Sequence, residues 1–187
     1  GSLYRGSKPV MWSVVEKTAL AEAEVEYHDH TSATVHVRFP IVSGGDERLA
    51  DASVMIWTTT PWTMPGNRAI CYGPKLDYSL IRVDGVAEGS LANSGEKLVL
   101  ANSLVAAVCT EAGITSHAVL DGIGHDVLGS VICAHPWRGK GYDFDVGLYP
   151  GDHVTDDTGT GFVHTAPGHG AEDFEVGMAH GLEVPQT

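Results

Sequence analysis

Residues Trp57-Thr58-Thr59-Thr60-Pro61-Trp62-Thr63 put four threonine hydroxyls within six positions, around a proline and between two indoles. Each hydroxyl both donates and accepts a hydrogen bond, so the stretch suits a polar small molecule or a held water. The apolar, β-favouring run Val54-Met55-Ile56 leads into it. Pro61 has no N–H for a ladder, so it should end that strand or leave it at an edge. Thr60, just before the proline, is biased toward extended geometry. The expectation is a fixed bend lined with small polar groups. Threonine is also a good strand residue, so a purely structural reading of the same positions stands beside the functional one.

Gly159–Asp173 (GTGFVHTAPGHGAED) is the second dense stretch. Phe162–Thr165 reads as a short strand, Pro167, Gly168 and Gly170 force a loop, and Ala171 opens a helix. His164 then sits at a strand end and Asp173 in a first helical turn. Strand–loop–helix junctions present side chains into clefts from a rigid frame. The plain alternatives are that Asp173 complements the helix dipole, that His164 is a satisfied core histidine, and that His169 is a loop residue.

Several common chemistries are missing. Gly159-Thr160-Gly161 does not complete GxGxxG, because position 164 is His. There is no GxxxxGK[ST] and no G-x-S-x-G. Cys71, Cys109 and Cys133 form no CxxC pair, and none has a nucleophile's context. The ten histidines fall in no HExxH or zinc-finger spacing, although His28, His30 and His36 could lie along a hairpin, so no metal site is expected. An enzyme built on these residues would rely on direct attack by a positioned water.

The elements that must hold the two stretches are mostly strands. Ala33–Phe39, Ser53–Thr59, Tyr78–Val83, Lys97–Leu100, His117–Leu120 and Ser130–Ala134 alternate or run apolar, between Gly/Asp/Asn turns. Helices are expected over Asn102–Ala112, stopped by Gly113, and over Ala171–His180, stopped by Gly181. A helix between Val15 and Ala23 is considered, Glu24–His30 reads as extended, and Ser90–Glu96 as an exposed loop. Strands outnumber helices without regular alternation. This gives an α+β class, a mainly antiparallel β-barrel-like sheet with a few flanking helices.

At 187 residues the chain suits a single domain, residues 1–187, with Gly1-Ser2 reading as a cloning scar and the whole as an excised piece. A chain of this size buries roughly 70% of its unfolded surface and needs no disulfide or metal to fold. Scattered cysteines suit a reducing cytosol, and no apolar run approaches transmembrane length, so a cytoplasmic protein without a membrane partner is expected. The formal charge is −13, from 24 acidic and 11 basic residues. That disfavours unaided binding to a phosphate backbone, so other parts of a larger protein should supply most of any grip on nucleic acid.

Together the two stretches resemble one family. Thr58-Thr59-Thr60-Pro61-Trp62-Thr63 is similar to the threonine-rich peptide of the editing domain of isoleucyl-tRNA synthetase. Gly159–Asp173 resembles that domain's second motif, with its His and, nine residues later, its Asp. Lys8–Ser13 and Glu16–Tyr27 resemble the lead-in to the domain, and Gly181–Pro185 its exit, so the resemblance covers almost the whole chain. Valyl and leucyl relatives typically carry Arg-Pro-Glu or Arg-Pro-Asp where this chain has Thr60-Pro61-Trp62. HIGH and KMSKS elements of the aminoacylation site are not found in these residues. Positions 13 and 16 are Ser13 and Glu16 rather than the CxxC that some members carry.

The resemblance implies hydrolysis of valyl-tRNA(Ile), and of valyl-adenylate, within a larger ligase. It needs no cofactor in this domain, since ATP serves the absent aminoacylation site. The implied partners are the valine-bearing tRNA(Ile) 3′ end and the rest of the synthetase, in a monomer. It implies that Asp173 pairs with the substrate α-ammonium, and that Thr59 and Thr60 hold the water or terminal ribose. Thr58, Trp62, His164 and, more weakly, Thr63 shape the side-chain pocket. The alternatives are a valyl-type specificity that removes threonine, or a non-catalytic module that grips the tRNA end or a small ligand.

Overall fold

A computed structural model describes residues 3, 6, 9–29 and 31–185. Gly1-Ser2, Lys8 and His30, on which the scar, lead-in and hairpin-histidine readings fall, lie outside the described residues. The strands are β1 (Trp12–Ser13), β2 (Thr18–Ala19), β3 (Val35–Ser43), β4 (Ala52–Thr58), β5 (Ala69–Tyr72), β6 (Tyr78–Val86), β7 (Lys97–Ala101), β8 (Ile114–Ile123), β9 (Ile132–Ala134), β10 (Asp145–Pro150) and β11 (Phe162–Thr165). The helices are α1 (Val105–Glu111), α2 (His125–Leu128) and α3 (Ala171–Ala179), with short 3-10 turns between. The α+β class with a mainly antiparallel sheet and few helices is as the residue pattern predicts.

Nine strands form one sheet in the order β11-β5-β10-β9-β3-β4-β7-β6-β8. Among the described residues only β10/β5 and β4/β7 pair in parallel. The sheet stays open rather than closing into a barrel, with β11 and β8 as its ends among the described strands. A curl nevertheless brings the start of β11 against the other half. The Ala101 N–H donates to the Thr160 carbonyl (2.9 Å), and the buried Tyr78 hydroxyl donates to the Gly161 carbonyl (2.6 Å) while accepting from the Gly73 N–H (2.7 Å).

β4 and β6 run through the core, so most of their residues are buried on both faces and the alternation expected of a half-buried strand is weak. β5 (AICY) and β10 (DVGLYP) are not evident in the sequence. The first is only four residues long and wholly buried, and the second carries a glycine and ends in proline. The proposed helix between Val15 and Ala23 is not formed. The chain instead makes a β1/β2 hairpin, turned through Lys17 at φ +57°, followed by a 3-10 turn at Glu22–Glu24. Gly113 and Gly181 end α1 and α3 with positive φ, as expected.

Gly161 combines two constraints at the mouth of the second motif. Its φ is +77°, and a Cβ there would run into Ala101. Gly161→Ala is therefore expected to cost about 1–3 kcal/mol of stability, because the left-handed backbone and the close approach act together. Urea unfolding checks this, and an unchanged midpoint would show that the curl does not depend on this contact.

Candidate functional site

The first motif folds as a strand end followed by a 3-10 helix, Pro61–Gly66, with Pro61 at its first position. Thr60 precedes it at φ −125°, ψ 62°. A 3-10 helix eclipses side chains three apart. Thr63 and Gly66 therefore turn inward and are buried, while Trp62 faces out and is 67% exposed. Trp62 is thus no packed part of a pocket wall. The hydroxyls are ordered by the backbone: the Thr60 N–H donates to Thr58 Oγ1 (3.1 Å), and Thr63 Oγ1 donates to the Thr60 carbonyl (2.8 Å).

The second motif meets this helix through His164. β11 pairs antiparallel with β5 and sets His164 opposite Ile70. Its Nε2 lies 2.9 Å from Thr63 Oγ1, and its Nδ1 lies 3.3 Å from Asn67 Nδ2. The directions are forced. The Asn67 amide can only donate, so Nδ1 accepts; Thr63 has given its proton to the Thr60 carbonyl, so Nε2 carries the ring proton. Burial, and then the neighbouring His169 and His135, push the His164 pKa down to about 4, so the ring is neutral at pH 7. Asn67, fully buried, also donates to the Ala69 carbonyl (2.8 Å). Residue reading passed it over, because an Asn between Gly and Arg looks like an ordinary turn residue.

Asp173 lies in the first turn of α3 but does not cap it. Its Oδ2 accepts from the Ala166 N–H (2.9 Å), tying the helix back to the end of β11. Burial raises its pKa, opposed by the Ala166 N–H and by nearby His153 and His169. His169 packs against the first motif, since a Cβ on Gly66 would fall 2.9 Å from its ring.

Between the motifs lies a cleft of about 260 Å³, lined by Thr58 and Thr59 from the first and by Gly159–Val163 from the second, with His153, Thr155 and Thr158 from the loop between β10 and β11. Thr60, Trp62, Thr63, His164 and Asp173 are not part of that lining. His153 was not singled out in the sequence, where it is one histidine in a polar loop. A larger cavity of about 560 Å³ near His36, Arg38 and Met55 shares no residue with either motif. Burial pushes the Cys71 and Cys133 thiols up to about 11 and about 12, which makes them poor nucleophiles. Among the described residues no group of three or more His, Cys, Asp or Glu could hold a metal, and no helix is long and apolar enough to cross a membrane.

Comparison with known proteins gives this arrangement a family. The model of tRNA synthetases class I (I, L, M and V) matches residues 1–174. The chain is 59% identical to the isoleucine–tRNA ligase of Bradyrhizobium diazoefficiens over 98% of its own length and 19% of that protein's. It is 53% identical to that of Gluconobacter oxydans, over all of this chain and 20% of the relative. The chain thus spans about a fifth of the length of these curated relatives. Among solved structures the fold resembles GlLeuRS-CP1, with a TM-score of 0.60 at 12% identity, covering 81% of this chain and 66% of that one. It also resembles the editing domain of the P. knowlesi cytosolic leucyl-tRNA synthetase, with a TM-score of 0.57 at 10% identity, covering 84% of this chain and 68% of that one.

The His164 environment has a consequence for stability. The ring binds a proton near pH 6.5 when unfolded but only near pH 4 when folded. Between those values the unfolded state holds the extra proton, so stability falls as pH falls from 6.5 toward 4. A shift of this size is worth roughly 3 kcal/mol at the acid end. His164→Gln, which cannot titrate, should lose less stability over that window than the native chain does, as read by urea unfolding at pH 7 and pH 4.5. Parallel losses would contradict the assignment.

Proposed function

The chain belongs to the class I tRNA synthetases, and from that premise we propose that it is the editing domain of an isoleucine–tRNA ligase, which hydrolyses valyl-tRNA(Ile). The observation that carries this reading is the cleft formed where the threonine motif meets the Gly159–Val163 segment, on the strand whose far end fixes the Asp173 carboxylate through the Ala166 N–H. The high identity to isoleucine–tRNA ligases supports the specificity, and the leucyl editing-domain folds support the task.

The need for such a site is physical. One methylene in an apolar pocket is worth only about 1–3 kcal/mol, and isoleucine against valine is the established instance of that limit. A second, smaller site sorts by size: valine enters and isoleucine is kept out. An aminoacyl ester is already activated, so the site mainly has to position the reactants and stabilise charge. In this proposal Asp173 pairs with the substrate α-ammonium. Thr59 and Thr60 hold the attacking water or the terminal ribose. Thr58 bounds the side-chain pocket, and the exposed Trp62 closes on it from outside. Thr63 and His164 keep that wall in place from behind and give the pocket its size. Water adds to the ester carbonyl, the bond to the ribose oxygen breaks, and that oxygen takes the proton, releasing valine and tRNA. Valyl-adenylate, with the same α-ammonium, is a second substrate of the same chemistry. The rest of the ligase supplies most of the grip on tRNA, since this chain carries a formal charge of −13.

Asp173→Ala should lower deacylation of valyl-tRNA(Ile) by at least about 30-fold, the loss expected when one partner of a desolvated charge pair is truncated. Circular dichroism should show the fold intact, and isoleucyl-tRNA(Ile) should stay resistant to the native protein. Near-normal deacylation by the variant would remove Asp173 from the ammonium role.

A further inference from the structure

His153 is the one ionisable residue among the described residues that line the cleft, where the others offer hydroxyls, backbone, apolar groups or the Trp57 indole. The loop that carries it is fixed. The Gly151 N–H donates to the Tyr72 carbonyl (2.9 Å) and the Val154 N–H to the Gly151 carbonyl (3.1 Å). The ring lies over Gly151 and beside β5, since a Cβ at Gly151 would fall 2.7 Å from His153 Cε1 and 3.1 Å from Cys71 Cβ.

Asp173 is linked to the same part of β5 through β11, and His153 lies close enough to act on its charge. Thr165 Oγ1 donates to Cys71 Sγ (3.1 Å), and the next residue, Ala166, donates its N–H to Asp173 Oδ2 (2.9 Å). His153 Nε2 is buried and has no hydrogen-bond partner. Leaving such a group unpaired costs about 1–3 kcal/mol, so a persistent case needs a reason.

We propose that His153 is a positioning residue of this cleft, whose imidazole holds the Asp173 carboxylate toward the substrate α-ammonium. The inference rests on the editing reading of the cleft. In the loaded site the ring donates an N–H to the Asp173 oxygen that Ala166 does not take. The carboxylate is then fixed between a ring N–H, a backbone N–H and the ammonium. The ionisable groups that face Asp173 are Glu172 on α3, His169 in the loop ahead of it, His153, and Cys71 on β5, whose thiol stays neutral. Burial works against the carboxylate, Glu172 adds to that, and the two histidines oppose both. Removing His153 leaves burial less opposed, so Asp173 would take up a proton at higher pH.

The test is the pH profile of valyl-tRNA(Ile) deacylation by the full-length ligase, with aminoacylation rate and thermal midpoint as controls for folding. His153→Phe should lower kcat/KM about tenfold, the effect of one lost hydrogen bond to a charged group, and move the acid limb to higher pH. His153→Gln, which keeps an N–H near the Nε2 position, should recover most of the rate. A His153→Phe profile that matches the native one overturns the proposal. So does equal loss in the two variants, or loss that follows the thermal midpoint. If the native ligase itself leaves valyl-tRNA(Ile) intact, the editing reading fails first and this inference with it.

Discussion

Much of this site depends on one buried hydrogen-bonded run: Asn67 to His164, His164 to Thr63, and Thr63 to the Thr60 carbonyl. Each link has a single direction, because the amide can only donate at one end and the carbonyl can only accept at the other. The run spans 101 sequence positions between Thr63 and His164. It locks a 3-10 helix to a strand and fixes one protonation state of the ring. A buried polar network that is fully paired specifies one arrangement, and one that is half paired is costly. Asn67 Oδ1, buried without a partner, is the point where this network is incomplete.

Other features follow from that junction. Gly66 has no side chain because His169 packs where a Cβ would sit, and Gly177 lets α3 press on Pro167, where a Cβ would meet the ring at 2.9 Å. These approaches bring α3 close enough for Asp173 to reach the Ala166 N–H. The cleft therefore depends on backbone proximity and on hydroxyls more than on charge. Its few charged or chargeable neighbours, Asp173 and His153, act in a poorly solvated setting where each interaction counts for more than it would in water.

Much of this was legible from residues. The strand into Thr58, the short strand Phe162–Thr165 and the helix opening at Ala171 all appear where proline, glycine and apolar patterning put them. Pairing the threonine motif with the His164 strand anticipated two segments that meet, through Thr63 and His164. Three things were hidden, each because it depends on contacts distant in sequence. β5 is too short and too buried to alternate. Asn67 has a role only because β11 places His164 beside it. Trp62 turns outward because Pro61 starts a six-residue 3-10 helix rather than a simple bend, a choice that local preference for extended geometry at Thr60 did not disclose.

Nitrogen NMR of the His164 ring in the folded chain decides whether a neutral histidine of one tautomer joins the two motifs. At pH 7 the imidazole should be protonated at Nε2 and bare at Nδ1, and on acidification the folded ring should reach half-protonation only near pH 4. A ring that averages between tautomers, or that takes up its second proton near pH 6.5 while the fold persists, would contradict it.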